Sequence, residues 1–185
     1  IVHKLADDHA GWTFPYWTYP NNQFKLIYKD NMYEFYENKN TFSHSFLVGK
    51  YRVIKDQKQI LKTIFSNDFD SRQEIVLEEV PGINKTEGDV GDAKITNYQP
   101  NNVEISVDAK SKALLFLADS YYPGWIAKVD GKDTSIYRAD YAFRAVVVPK
   151  GKHNVEFIYS PLSFQLGLYS AILGLLGILI LGFKN

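Results

Sequence analysis

Cysteine is absent from this chain, which excludes a disulfide framework, thiolate metal sites and a cysteine nucleophile together. Net charge is absent as well: 21 Lys and Arg balance 21 Asp and Glu, so no global field draws nucleic acid or an acidic surface. The catalytic signatures are missing too. There is no Gly-x-Ser-x-Gly elbow, no Walker loop and no dinucleotide fingerprint. His3, His9, His44 and His153 show neither an i, i+4 metal spacing nor an HExxH context, so no metal or cofactor is expected. The scattered carboxylates form no recognisable glycosidase pair, and no catalytic residue is assigned. Helix formers are scarce before the tail. Most telling is the loss of all charge from Phe164 to Phe183, because ~20 residues at ~1.5 Å each cross a ~30 Å hydrocarbon layer. A transmembrane helix over 162–184 is therefore expected. The chain opens on Ile1 without a basic n-region, so no signal peptide is read, and a longer polypeptide with further sequence upstream is expected.

What is present is aromatic and strand-like. Thirteen Tyr, twelve Phe and three Trp suit a pleated, half-buried sheet surface. Ile1 to Leu5 reads as a short strand, and Gly11 to Pro20 as a loop crowded with rings and broken by two prolines. Those rings offer faces to a sugar or to lipid headgroups; more plainly, they plug the local core. Phe24 to Tyr28 and Met32 to Tyr36 flank Asp30-Asn31 as a hairpin. Ser45 to Val48, Tyr51 to Ile54 and Glu74 to Leu77 read as strands. Asp56 with Gln59 resembles a capping box, followed by Ile60, Leu61, Ile64 and Phe65 on one helical face. Residues 1–79 are thus expected to form a small α+β unit. Residues 80–92, acidic and interspersed with Gly, read as a linker or long loop, and as a solvated linker in preference to a Ca²⁺ site because their carboxylates lack EF-hand spacing.

From Ala93 the alternation becomes regular. Val103, Ile105 and Val107 alternate after a turn at Gln99-Pro100-Asn101-Asn102, and Asp130-Gly131 is a strong hairpin dipeptide. Ala113 to Ala118 and Phe143 to Val148 are apolar throughout, as in strands covered on both faces. His153 falls on the apolar side of its strand, predicting a hydrogen-bonded core histidine. Seven or so short strands argue for a β-sandwich over 93–161, jelly-roll-like. The fold class expected is mainly β: a small α+β unit, a sandwich, and one terminal transmembrane helix.

Candidate binding residues are Tyr122, Trp125, Arg138 and Arg144. Tyr122-Pro123-Gly124-Trp125 makes either a sugar-stacking platform or a turn leading into the core. Arg144 interrupts an apolar run, so it needs a carboxylate, with Asp119 and Asp140 nearest in sequence. It either grips a phosphate or acidic sugar or forms a buried structural ion pair. In the tail, Gly167, Ser170, Ala171, Gly174 and Gly177 lay small residues along one helix face, which suits close approach of other transmembrane helices. Lys184, just past the span, favours an inside C-terminus with the β body outside.

The succession Tyr122-Pro123-Gly124-Trp125, Asp130-Gly131, Arg138, Phe143-Arg144-Ala145-Val146, Pro149, Gly151, His153, Val155, Phe157, Tyr159 and Pro161, running into an apolar helix, resembles the C-terminal end of YfhO-like bacterial membrane proteins. Tyr33 to Asn38, Leu47 to Val53 and Asp56 to Asp70 are similar to that family as well. The resemblance implies a polytopic protein of the GT-C glycosyltransferase kind in the bacterial cytoplasmic membrane. Such a protein would take sugar from a polyprenyl-phosphate carrier on the outer face. Its catalytic acid would lie upstream, and this extracytoplasmic part would assist acceptor binding or architecture. The implied partners are the membrane, other helices of the parent chain and a glycan or polyprenyl-phosphate sugar, with no nucleic acid. The competing expectation is a non-enzymatic, membrane-anchored sandwich that binds a surface glycan or protein.

Overall fold

The computed structural model describes residues 2–4 and 23–182, with side chains over 23–176. The aromatic run at 11–20, Lys184 and the side-chain surroundings of Gly177 lie outside the described residues. Two compact units divide the chain, Ile1–Ser43 and His44–Asn185. The first carries β1 (Val2–Lys4), β2 (Phe24–Lys29) and β3 (Tyr33–Asn38), hydrogen-bonded in the order β1-β3-β2. The expected hairpin turn forms because the Asp30 carboxylate accepts from the backbone N–H of Met32 (2.7 Å) and Tyr33 (2.6 Å), the local capture that suits Asp to turns.

The second unit is a two-sheet sandwich. Its elements are β4 (Ser45–Val48), β5 (Lys50–Val53), α1 (Gln57–Ile64), β6 (Glu74–Leu77), β7 (Gly91–Gln99), β8 (Asn102–Ala109), β9 (Ala113–Leu117), β10 (Trp125–Val129), β11 (Lys132–Thr134), β12 (Ile136–Ala139), β13 (Phe143–Val148), β14 (Gly151–Tyr159) and α2 (Leu162–Gly182). A five-stranded sheet runs β11-β10-β14-β8-β7 and a six-stranded sheet runs β4-β9-β13-β12-β6-β5. Between them lie Val103, Ile105, Val107, Val155 and Phe157 from one sheet and Leu115, Leu117, Val146 and Val148 from the other. The opposite face of the six-stranded sheet holds a second cluster, with Leu114, Phe116, Ala145, Ile75, Leu77 and Ile83. The two apolar runs expected to be covered on both faces therefore are: β9 and β13 send alternate side chains into different cores.

Several expectations change. The division between compact units falls at Ser43/His44 instead of 79. The reason is long-range pairing: Ser45 to Val48 pair with Leu114 to Leu117, and Leu77 pairs with Ala139. Strands expected in a separate α+β unit thus complete the six-stranded sheet. Of the two readings of 80–92, the stretch up to the start of β7 is the long loop and not a solvated linker, since Ile83 and Val90 are buried and the Tyr51 hydroxyl donates to the Ile83 carbonyl at 2.6 Å. Strand pairs within 93–161 are antiparallel, while β5 and β6, parallel and joined through α1, lie before that stretch. The Asp56 cap is present, accepting from Gln59 N–H at 2.8 Å, but the buried helix positions are Ile60 and Thr63, while Leu61 and Phe65 stay exposed.

At the C-terminal end α2 spans 21 residues. Among the described residues no helix is long and apolar enough to cross a membrane. Over the part whose side chains are described, Leu162, Phe164, Leu166, Leu168, Tyr169, Ile172, Leu173, Leu175 and Leu176 are all exposed.

Candidate functional site

The site is built by two strands that face each other across the sandwich. Trp125 opens β10 and packs against the inter-sheet core. Arg144 lies in β13 at a position of the same parity as Val146 and Val148, so its side chain enters that core from the other sheet. The Arg144 guanidinium then lies 4.0 Å from the centre of the Trp125 ring and 5.3 Å from that of Phe157. Desolvated cation–π stacking of this kind is worth about 2 kcal/mol.

Of the two carboxylates nearest in sequence, Asp119 is the partner. Its Oδ2 accepts from Arg144 Nη2 at 2.7 Å, and its Oδ1 accepts from the Tyr98 hydroxyl at 2.8 Å and lies 2.9 Å from His44 Nε2. The acidic neighbour raises the Tyr98 phenol above its ordinary range. Burial pushes the Arg144 guanidinium below its usual range, opposed by the charge of Asp119. Arg144 is only 1% exposed, and its Nε and Nη1 have no hydrogen-bond partner among the described residues. Asp140 does another job: its Oδ1 accepts from Val76 N–H at 2.7 Å, and burial pushes its carboxyl up to about 6.

Tyr122, Trp125 and Arg144 converge. All three line a cleft of about 460 Å³, together with Tyr121 and Pro123, and also a neighbouring cleft of about 420 Å³ that includes Tyr98, Asp119 and Tyr159. Tyr122 is 62% exposed, at the mouth. The Pro-Gly turn sets this shape because Gly124 adopts φ 101°, a backbone that side chains rarely tolerate. A Cβ there would meet Pro161 at 2.9 Å and Tyr159 at 3.0 Å. The Gly124 carbonyl also accepts from Ser160 N–H at 2.7 Å. The cleft is thereby fastened to the residues that lead into α2.

Arg138 stands slightly apart. It pairs directly with Arg144 across β12 and β13, so both side chains leave one face of the sheet. It stacks over Tyr121 (5.7 Å) and Tyr141 (5.6 Å), and its Nη1 approaches Glu78 at 3.5 Å. Its Nε and the Glu78 Oε1 lack hydrogen-bond partners among the described residues. His153, expected in the core, is instead partly exposed, with Nδ1 2.6 Å from Asp130 Oδ2.

The sequence reading missed Tyr98, His44 and Tyr159 as parts of this site. No local pattern marks them; they arrive through pairing of β7 with β8, of β14 with β8 and β10, and through the backbone bond from Ala118 N–H to the His44 carbonyl. Chemically the arrangement offers recognition: ring faces on one side, buried N–H donors on the other. Among the described residues no group of three or more His, Asp or Glu is placed to hold a metal ion.

A family model described as "Bacterial membrane protein YfhO" matches residues 85–170, the stretch that supplies every strand of the five-stranded sheet and all the cleft-lining residues named above. A Bacillus subtilis (strain 168) protein named "Uncharacterized protein YfhO" is 33% identical over 97 residues, which is 52% of this chain and 10% of that relative. The match thus spans about a tenth of the relative's length. No solved structure gives a significant match. These matches show likeness to the YfhO family over residues 85–170.

Proposed function

We propose that this chain is the extracytoplasmic C-terminal region of a polytopic bacterial membrane protein, with α2 as a membrane-spanning helix. In this reading the whole protein is a glycosyltransferase that moves sugar from a polyprenyl-phosphate carrier to a cell-surface polymer. Chemistry takes place in a part outside this chain, and the Tyr122–Trp125 cleft holds the acceptor glycan. One observation carries the reading. A ring-lined cleft is fastened through Gly124 to the root of an uncharged helix whose large apolar side chains are exposed. Exposed apolar surface on that scale calls for lipid or other helices around it, and an aromatic face suits the apolar face of a sugar ring. The family match supports membrane localisation.

The test is glycan binding by the 185-residue chain in neutral-lipid nanodiscs, compared with Trp125→Ala. Binding lost in a folded variant supports the cleft as the acceptor site; undiminished binding removes it. A second reading, a non-enzymatic anchored sandwich that binds a surface glycan, is favoured by the completeness of the cleft within the His44–Asn185 unit. The two part company on transfer: deleting this region from the full-length protein abolishes sugar transfer under the first and leaves it intact under the second.

A further inference from the structure

Buried polar groups in folded proteins find partners, and a buried cation left with free donors is costly. Three nitrogens break that rule: Nε and Nη1 of Arg144, which lines the cleft, and Nε of Arg138, its cross-strand neighbour, which does not line it. The two arginines are direct cross-strand neighbours, a like-charge placement that costs stability unless something of opposite sign sits by it. The available carboxylates only partly answer. Asp119 takes a single bond from Arg144, through Nη2, and divides its other oxygen between Tyr98 and His44. Glu78 Oε1 is ion-paired with Arg138 Nη1 at 3.5 Å but makes no hydrogen bond. A structural ion pair alone would not leave a guanidinium with two idle donors beside an open cleft that it lines. An arginine held flat by a ring, with its N–H edges unused, is arranged for an incoming oxygen acid.

We propose that the Arg144 end of this cleft binds an oxyanion, a phosphate or carboxylate group carried by the ligand, with Arg144 as donor and Arg138 as the neighbouring cation. This shares the location of the proposed glycan site but does not require a sugar. The ring faces of Trp125 and Tyr122 are left for whatever the anion is attached to.

The test follows the Arg144 Nε–H signal of the 185-residue chain by NMR in phosphatidylcholine nanodiscs, titrated with methyl phosphate and, separately, with neutral methyl glucoside. A saturable shift with methyl phosphate is expected. Arg144→Lys, which keeps the charge but loses the planar fork, should weaken binding about tenfold or more, read by calorimetry. Asp119→Asn retains an oxygen for Tyr98 but removes the competing charge, and should tighten binding about tenfold. A purely structural Arg144–Asp119 pair predicts no such gain. Absence of a saturable shift in both the wild-type chain and folded Asp119→Asn overturns the proposal; should Asp119→Asn fail to fold, the wild-type titration alone decides. A shift on exchanging the lipid for phosphatidylglycerol, without added phosphate, identifies a headgroup as the source. A shift with soluble phosphate alone identifies a ligand outside the bilayer. Methyl phosphate binding without glycan binding would sink the acceptor reading and keep this one, and the converse result would do the reverse.

Discussion

At the scale of single residues, Asp140 is a carboxyl held against its own chemistry. It serves as an acceptor for Val76 N–H in a backbone of φ 44°, and burial holds its pKa at about 6 against about 3.9 in an unfolded chain. The folded state therefore keeps a proton that the unfolded state has already released. Stability from this group is present below about pH 4 and is lost as pH rises towards 6. Asp140→Asn keeps an acceptor oxygen, and Asn tolerates the left-handed backbone. It should raise stability above pH 6 by about 1 to 3 kcal/mol and change little at pH 4. Urea unfolding at both pH values checks this, and an equal change at both would show that ionisation is not the cause. The His153 pKa is raised as well, but for the opposite reason, because its partner favours the charged form. Its hydrogen bond with Asp130 raises the imidazole pKa and lowers that of the carboxyl. The imidazole contribution is present in full below about pH 6.5 and is lost as pH rises through the raised value; the carboxylate contribution is lost as pH falls through its lowered one. An NMR titration should find His153 above its ordinary range, and Asp130→Asn should bring it back. A midpoint unmoved by that change would exclude the pair as the origin.

At the scale of elements, local chemistry explains some boundaries and not others. The Asp30 and Asp56 carboxylates each capture backbone N–H groups a few residues ahead, which is why one turn and one helix start were legible. Asp56→Ala should cost about 1 kcal/mol, read by thermal unfolding; a change within error would mean that tertiary contacts alone fix the α1 start. The buried face of α1 was not legible, because Leu61 and Phe65 compete with Ile60 and Thr63 for the same role in the pattern. Only the neighbouring structure decides which turn inward. In β9 every side chain is buried, so Leu115→Ala, in the centre of the inter-sheet core, should cost about 2 to 5 kcal/mol. A loss below 1 kcal/mol would mean that the two sheets close readily over the gap.

For the whole molecule, the contrast lies between a body with two buried cores and a terminal helix whose described apolar residues are bare. A chain ending at Pro161 should remain in the aqueous phase at ultracentrifugation, while the 185-residue chain should sediment with vesicles. Equal partitioning would remove α2 as the membrane element. Sequence by itself determined which segments alternate, which are apolar on both faces, where Asp130-Gly131 reverses the chain with both residues at positive φ, and where charge vanishes. These are properties of neighbours a few residues apart, and the backbone reads them locally. Tertiary structure alone decided that β4, β5 and β6 belong to the same sheet as β9, β12 and β13, and that Asp119 takes Arg144 while Asp140 takes Val76. It alone brought Tyr98 to the cleft and both Tyr98 and His44 to Asp119. Such pairings depend on strand partners far apart in the chain, whose selection is a property of the whole packed core and leaves no mark in any short stretch of sequence.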